Sequence, residues 1–166
     1  MRLLREQLRR QLPELERNNV QLRAIGQLDR LPLTVRWELR RAIRKLSHNT
    51  GLILNLALSY GGRQEILQAV RRIAQEVQSG KLQPEEIDER RFSSYLYTGP
   101  LPEPDLIIRT SGEQRLSNFL LWQCAYAEFY FTPVLWPDFR RRHLYEAILA
   151  YQGRERRFGG VGGPVP

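Results

Sequence analysis

GLILNLALSYGGRQEILQAVRRIAQEVQSG, residues 51–80, decides the fold class. Between Gly51 and Tyr60 the apolar residues Leu52, Ile53, Leu54, Leu56, Ala57 and Leu58 fall on both faces of an extended chain. That pattern predicts a central strand of a parallel sheet covered on two sides. Tyr60-Gly61-Gly62-Arg63 ends the run, and the period then changes. From Gln64 to Gln78 the apolar positions Ile66, Leu67, Val70, Ile73, Ala74 and Val77 follow helical spacing, with Ser79-Gly80 closing the helix. Strand, glycine turn and helix make one βα unit.

The same alternation extends both ways. Toward the amino end, Leu3, Leu4, Leu8, Leu12 and Leu15 predict an amphipathic helix, kinked or restarted at Pro13 because proline removes a backbone donor. Val20 to Ile25 alternates apolar and polar residues and stops at Gly26, a strand entering a turn, and a second helix covers about 33–47. Toward the carboxyl end, Pro84-Glu85-Glu86-Ile87 opens a short helix with proline and two acids in its first turn. Pro100, Pro102 and Pro104 mark a stiff loop. Asp105 to Arg109 then predicts a strand, Ser117 to Tyr126 a helix, Glu128 to Thr132 a last strand and Asp138 to Tyr151 a last helix. Strands alternating with helices give an α/β fold with a mainly parallel central sheet flanked by helices.

Composition bounds the rest. At 166 residues, 42% hydrophobic and 27% charged, the chain suits one globular domain, with residues 1–160 inside it and 161–166 a flexible tail. Cys124 is the single cysteine, so no intrachain disulfide forms, and no Cys/His set has zinc spacing. No apolar run is long enough to cross a bilayer and no signal-peptide pattern is present, which gives a cytoplasmic chain or one peripheral at the membrane. The net charge of +8 is uneven: residues 1–45 hold 12 Lys/Arg against 5 Asp/Glu, the remainder 14 against 13. A basic amphipathic opening serves as a solvated helix face, a surface for anionic lipids or a nucleic-acid contact. No RNA-binding motif or stripe of interleaved aromatic and basic residues is visible, so nucleic acid is not expected as a partner.

The chemistry concentrates in Arg109-Thr110-Ser111-Gly112-Glu113-Gln114-Arg115-Leu116-Ser117-Asn118, between a predicted strand and a predicted helix. Ligands of open α/β sheets bind beyond the carboxyl ends of strands. Here such an end supplies two guanidinium groups, a glycine that lets backbone N–H groups converge, and Ser117 as helix cap or phosphate donor. A diphosphate matches that set. The competing reading pairs the arginines with Asp105, Glu113 or Glu128 and makes Ser117 an ordinary cap. Glu128 opens an apolar strand, where a bare carboxylate is costly, so it takes either an arginine or a hard cation such as Mg²⁺ as partner. His48 and His143 lack a motif and read as structural or exposed.

PDLIIRTSGEQRLSNFLLWQCAYAEFYFTPVLWPDF, from Pro104 to Phe139, resembles the signature of the cis-prenyltransferases of the undecaprenyl diphosphate synthase type. NTGLILNLALSYGGRQEI, from Asn49 to Ile66, and RERRFGG, from Arg154 to Gly160, resemble two further blocks of that family. The resemblance implies Mg²⁺-dependent condensation of isopentenyl diphosphate with an allylic diphosphate such as farnesyl diphosphate. It implies that Arg109, Arg115 and Ser117 hold the diphosphate of isopentenyl diphosphate and that Glu128 helps to bind Mg²⁺. It further implies that Arg157 and Gly159 form an Arg-x-Gly element reaching a partner subunit, hence a homodimer. The family's Asp-Gly-Asn-x-Arg-Trp block, with its essential aspartate, does not occur here, so no catalytic residue is assigned within the chain. The expectations are a C-terminal part of the domain, a sheet incomplete on its amino-terminal side, and no activity alone. A noncatalytic partner subunit is the alternative, and a basic RNA-binding module a remote one.

Overall fold

A computed structural model describes residues 1–154, and these fall into two compact units, one of Met1–Pro100 and one beginning at Leu101. The expected Arg157, Gly159 and 161–166 tail lie outside the described residues.

In the first unit, α1 (Arg2–Arg17) lays Leu8 and Leu12 against α2 (Leu33–Lys45). Leu22, Leu31, Val35, Leu39, Ala42 and Leu46 complete that core, with Leu46 fully buried. Burying one such leucine contributes about 1.5–3 kcal/mol. The helix continues through Pro13, where a kink or restart is predicted from sequence. Pro13 is exposed, and the hydrogen bond it lacks is offset by the burial of Leu8 and Leu12.

Strand β1 (Gln21–Ile25) pairs in parallel with β2 (Ile53–Ala57), Gln21 opposite Ile53 and Ile25 opposite Ala57, and α2 is the crossover between them. Gly26 ends β1 at φ +109°, where an added Cβ would lie 2.2 Å from the carbonyl oxygen of Leu58. Only glycine meets both conditions. The expected double cover of β2 is not found: Leu52 is 71% exposed, and Ile53 and Leu54 are exposed as well. Among the described residues β2 pairs with β1 alone, and while Leu56 packs against the α1–α2 core, Ile53 and Leu54 at its start lack a layer to face.

Helix α3 (Gly62–Gln78) is rotated from its predicted stripe. Glu65, Ala69 and Ile73 are buried, whereas Leu67, Val70 and Ala74 are exposed. The cause is polar: buried Glu65 accepts hydrogen bonds from the Tyr60 hydroxyl and from the Tyr97 N–H, the latter at 2.8 Å, and this anchors the first turn. The helix foreseen from Pro84 is a short 3-10 turn, Pro84–Glu86, followed by a separate α4 (Glu89–Tyr95) capped by Asp88.

In the second unit, β3 (Leu106–Arg109) pairs in parallel with β4 (Glu128–Phe131), Leu106 opposite Glu128 and Arg109 opposite Phe131. Helix α5 (Arg141–Gln152) follows a 3-10 turn at Trp136–Asp138 and so starts three residues later than predicted. Buried His143 accepts from the Arg140 backbone N–H at 2.9 Å, a structural role, while His48 is exposed. The predicted helix over 117–126 does not form. Ser117 (φ 53°), Asn118 (φ 63°) and Leu120 (φ 45°) are left-handed, which no α-helix accommodates, and the segment is a chain of turns.

The α/β class with parallel strands and flanking helices therefore holds. The strands form two separate two-stranded ladders among the described residues, where one central sheet is expected from sequence.

Candidate functional site

Arg109 is the last residue of β3, and the loop behind it is tied to the exit of β4 by three backbone bonds. The Thr132 N–H donates to the Arg109 carbonyl, Gly112 N–H to Thr132 and Ser111 N–H to Val134, each at 2.9 Å. Ser111 (φ 67°) and Gly112 (φ 68°) are both left-handed. An added Cβ at Gly112 would meet nothing within 4 Å, so conformation rather than space favours glycine there. This corrects one expectation: the N–H groups of Ser111 and Gly112 are spent on Val134 and Thr132, just past β4, and do not converge on an anion. With the following helix absent, no helix N-terminus supports the site either. What the site offers an anion is therefore its side chains.

They are in place to do so. Residues 107–109, Arg115, Leu116, Phe119 and Phe129 line a cavity of about 240 Å³. Arg109 Nη2 lies 3.5 Å from the Ser117 hydroxyl oxygen, and Arg115 forms an ion pair with Glu113. The Arg109 Nε is buried and has no hydrogen-bond partner. A buried donor left unmatched costs about 1–3 kcal/mol, which an incoming anion would recover. Arg109, Arg115 and Ser117 are thus brought together as expected, with the Glu113–Arg115 pair matching the competing reading in part. Sequence reading missed the apolar wall of Ile107, Leu116, Phe119 and Phe129. Alternation along β3 and β4 signals Ile107 and Phe129, whereas Phe119 enters only because the expected helix is replaced by turns.

Glu128 is not part of this cluster. Parallel register aligns it with Leu106, three residues and about 10 Å along the ladder from Arg109. Strand alternation also puts Glu128 on the face opposite Arg109. Its partner is Arg154, whose Nη1 lies 2.6 Å from Glu128 Oε2. Among the described residues no group of three or more His, Cys, Asp or Glu converges on a point. Mg²⁺ takes about six oxygen ligands, so the single Glu128 carboxylate does not constitute a magnesium site within these residues.

Cys124 is no nucleophile here: burial, helped by the Glu103 charge, pushes its thiol up to about 11, so it stays protonated at neutral pH. No helix among the described residues is long and apolar enough to cross a membrane. The arrangement can hold a diphosphate-sized anion against an apolar floor, an amphiphile's two halves.

Comparison with known proteins finds a matching family and individual relatives. Residues 1–159 match the family described as "Putative undecaprenyl diphosphate synthase". An isoprenyl transferase of Heliobacterium mobile is 56% identical over 159 residues, 96% of this chain and 61% of the relative. That of Clostridium tetani is 51% identical over 161 residues, 97% and 63% respectively. The chain therefore spans less than two thirds of the length of these curated relatives. Among solved structures, lavandulyl diphosphate synthase from Lavandula x intermedia, in complex with dimethylallyl diphosphate, matches with a TM-score of 0.93 and 44% identity, covering 96% of this chain and 69% of that one. A probable undecaprenyl diphosphate synthase from Campylobacter jejuni matches with a TM-score of 0.81 and 42% identity, covering 95% and 72%.

Proposed function

Since the chain belongs to the undecaprenyl diphosphate synthase family of prenyltransferases, we propose that it serves cis-polyprenyl diphosphate synthesis, with the cavity behind β3 holding isopentenyl diphosphate. In that reaction the allylic partner loses its diphosphate, a carbon–carbon bond forms to the terminal alkene carbon of isopentenyl diphosphate, and one proton leaves. The contribution of this chain is binding and orientation. Arg109 and Arg115 neutralise the diphosphate of isopentenyl diphosphate, Ser117 donates its hydroxyl, and Ile107, Leu116, Phe119 and Phe129 shelter the five-carbon end from water. The observation that supports this most is the buried, unmatched Arg109 Nε beside a second arginine and a serine.

The allylic partner is proposed to be a diphosphate such as farnesyl diphosphate; the lavender relative, in complex with dimethylallyl diphosphate, makes that ligand class reasonable. Mg²⁺, the metal the resemblance implies, is proposed to accompany the diphosphates, held chiefly by phosphate oxygens, since Glu128 lies at the other end and on the other face of the ladder from Arg109. Arg157 and Gly159 are proposed to reach a partner's diphosphate in a homodimer.

Isolated chain incubated with isopentenyl diphosphate, farnesyl diphosphate and Mg²⁺ tests the reading. Elongation lost in Arg109→Ala supports it, and elongation unaffected by Arg109→Ala refutes the site. The comparisons lend no support to the expectation that this chain is inactive alone, and the same assay decides it. The reading as a noncatalytic partner subunit draws on the open apolar side chains of Leu52, just before β2, and of Ile53 and Leu54 at its start. It requires co-purification with, and activation of, a complete synthase. Failure to associate rules it out.

A further inference from the structure

On the outer side of the α1–α2 pair, within the first unit, an open groove of about 460 Å³ is lined by Arg5, Arg9, Arg36 and Arg40 around Leu33 and Trp37. No carboxylate lines it. Two of the four guanidinium groups are matched, Arg9 by buried Glu38 at 2.8 Å and Arg36 by Asp29 at 3.3 Å. Arg5 and Arg40 make no ion pair among the described residues. Between the cations the surface is apolar and open: Leu33 is 75% exposed and Trp37 62%. Arg41 lies over the Trp37 ring at 5.8 Å and is not among the residues that line the groove.

We propose that this groove is a docking surface for an anionic lipid bilayer, with Arg5 and Arg40 meeting headgroup phosphates and Leu33 and Trp37 entering the boundary between headgroups and acyl chains. Charge complementarity carries the choice of occupant: an acid-free groove in a segment with 12 basic against 5 acidic residues faces anions. The exposed Leu–Trp pair favours a bilayer among anionic partners, since apolar side chains beside arginines gain from partial insertion. Tryptophan in particular settles where apolar and polar phases meet. RNA would need several aromatic faces to stack successive bases, and the groove offers one. The proposal is independent of the diphosphate site, because every residue it uses lies in Met1–Pro100.

Co-sedimentation of the chain with vesicles of phosphatidylcholine alone, and with vesicles enriched in phosphatidylglycerol, tests it. Binding is expected with the anionic vesicles, weakening as salt rises. At about 1 kcal/mol per basic residue at such a surface, Arg5→Gln with Arg40→Gln should weaken binding roughly thirtyfold. Trp37→Ala should weaken it too. Circular dichroism matched to the parent separates these effects from misfolding, and the single Arg40→Glu, at an exposed helix position, repeats the test should the double variant unfold. Equal binding to neutral vesicles, no binding to either, variants that bind like the parent, or tighter binding to single-stranded RNA at the same ionic strength would each overturn the proposal.

Discussion

Replacing Arg109 by methionine should move stability and ligand binding in opposite directions. The side chain is half-buried, its Nε is enclosed without a partner, and among the described residues its hydrogen bond within the site is the long contact from Nη2 to Ser117 at 3.5 Å. The unliganded protein therefore carries the cost of a desolvated donor, about 1–3 kcal/mol, and gains little in return. Methionine keeps an unbranched stem of similar length, suits a strand end and removes that donor. For a chain of this size each kcal/mol raises the melting temperature by about 2–4 °C, so the unliganded variant should melt a few degrees higher. The ligand loses charge-assisted hydrogen bonds of about 1.5–3 kcal/mol each, and its affinity should fall between about tenfold and 150-fold per lost donor. Scanning calorimetry measures the first effect, and titration calorimetry with isopentenyl diphosphate and inorganic diphosphate the second. A variant that melts lower while binding either ligand as the parent does would refute an anion site at Arg109.

Three further outcomes follow from the structure. Gly26→Ala forces an L-residue to φ +109° and sets its Cβ 2.2 Å from the Leu58 oxygen, so chemical denaturation should show a loss on the order of 3 kcal/mol. The hydrogen bond from Arg9 holds the Glu38 carboxyl below the usual range, against its own burial and with help from the Arg41 and Arg5 charges. A depressed carboxylate stabilises the fold fully above its unfolded value, and that stability is lost as pH falls through the lower folded value. Melting temperature against pH should therefore drop on the acid side in the parent and drop less in Glu38→Gln. Cys124, raised to about 11 and buried, should resist alkylation at pH 8 in the folded chain and react readily in denaturant; fast labelling of the native protein would contradict its enclosure.

Local patterns were legible wherever one element's own side chains determine the outcome. Leu8 and Leu12 were readable as one apolar face of α1 because helical spacing alone puts them there, whereas their packing with Val35, Leu39 and Ala42 of α2 is a tertiary fact. The cover of β2 was not legible, because whether Leu52 to Leu54 are buried depends on what lies against them. The helix over 117–126 failed for a related reason. Its apolar run suits a helix by composition, yet left-handed Ser117, Asn118 and Leu120 break the ladder of hydrogen bonds. The rotation of α3 escaped notice because its cause, the Tyr97 N–H on Glu65, comes from 32 residues away.

By itself the sequence determined the α/β class, most of its elements and the side-chain chemistry of the proposed anion site. Arg109, Arg115 and Ser117 stand within nine residues, so chain length alone keeps them near one another whatever the loop does. Only the tertiary structure decided what those groups face, which donors are already spent, and where Glu128 belongs. Strand register is set by pairing between segments twenty-two residues apart, Leu106 with Glu128, and not by either segment alone. That pairing carries Glu128 to the far end and other face of the ladder and leaves its charge to Arg154.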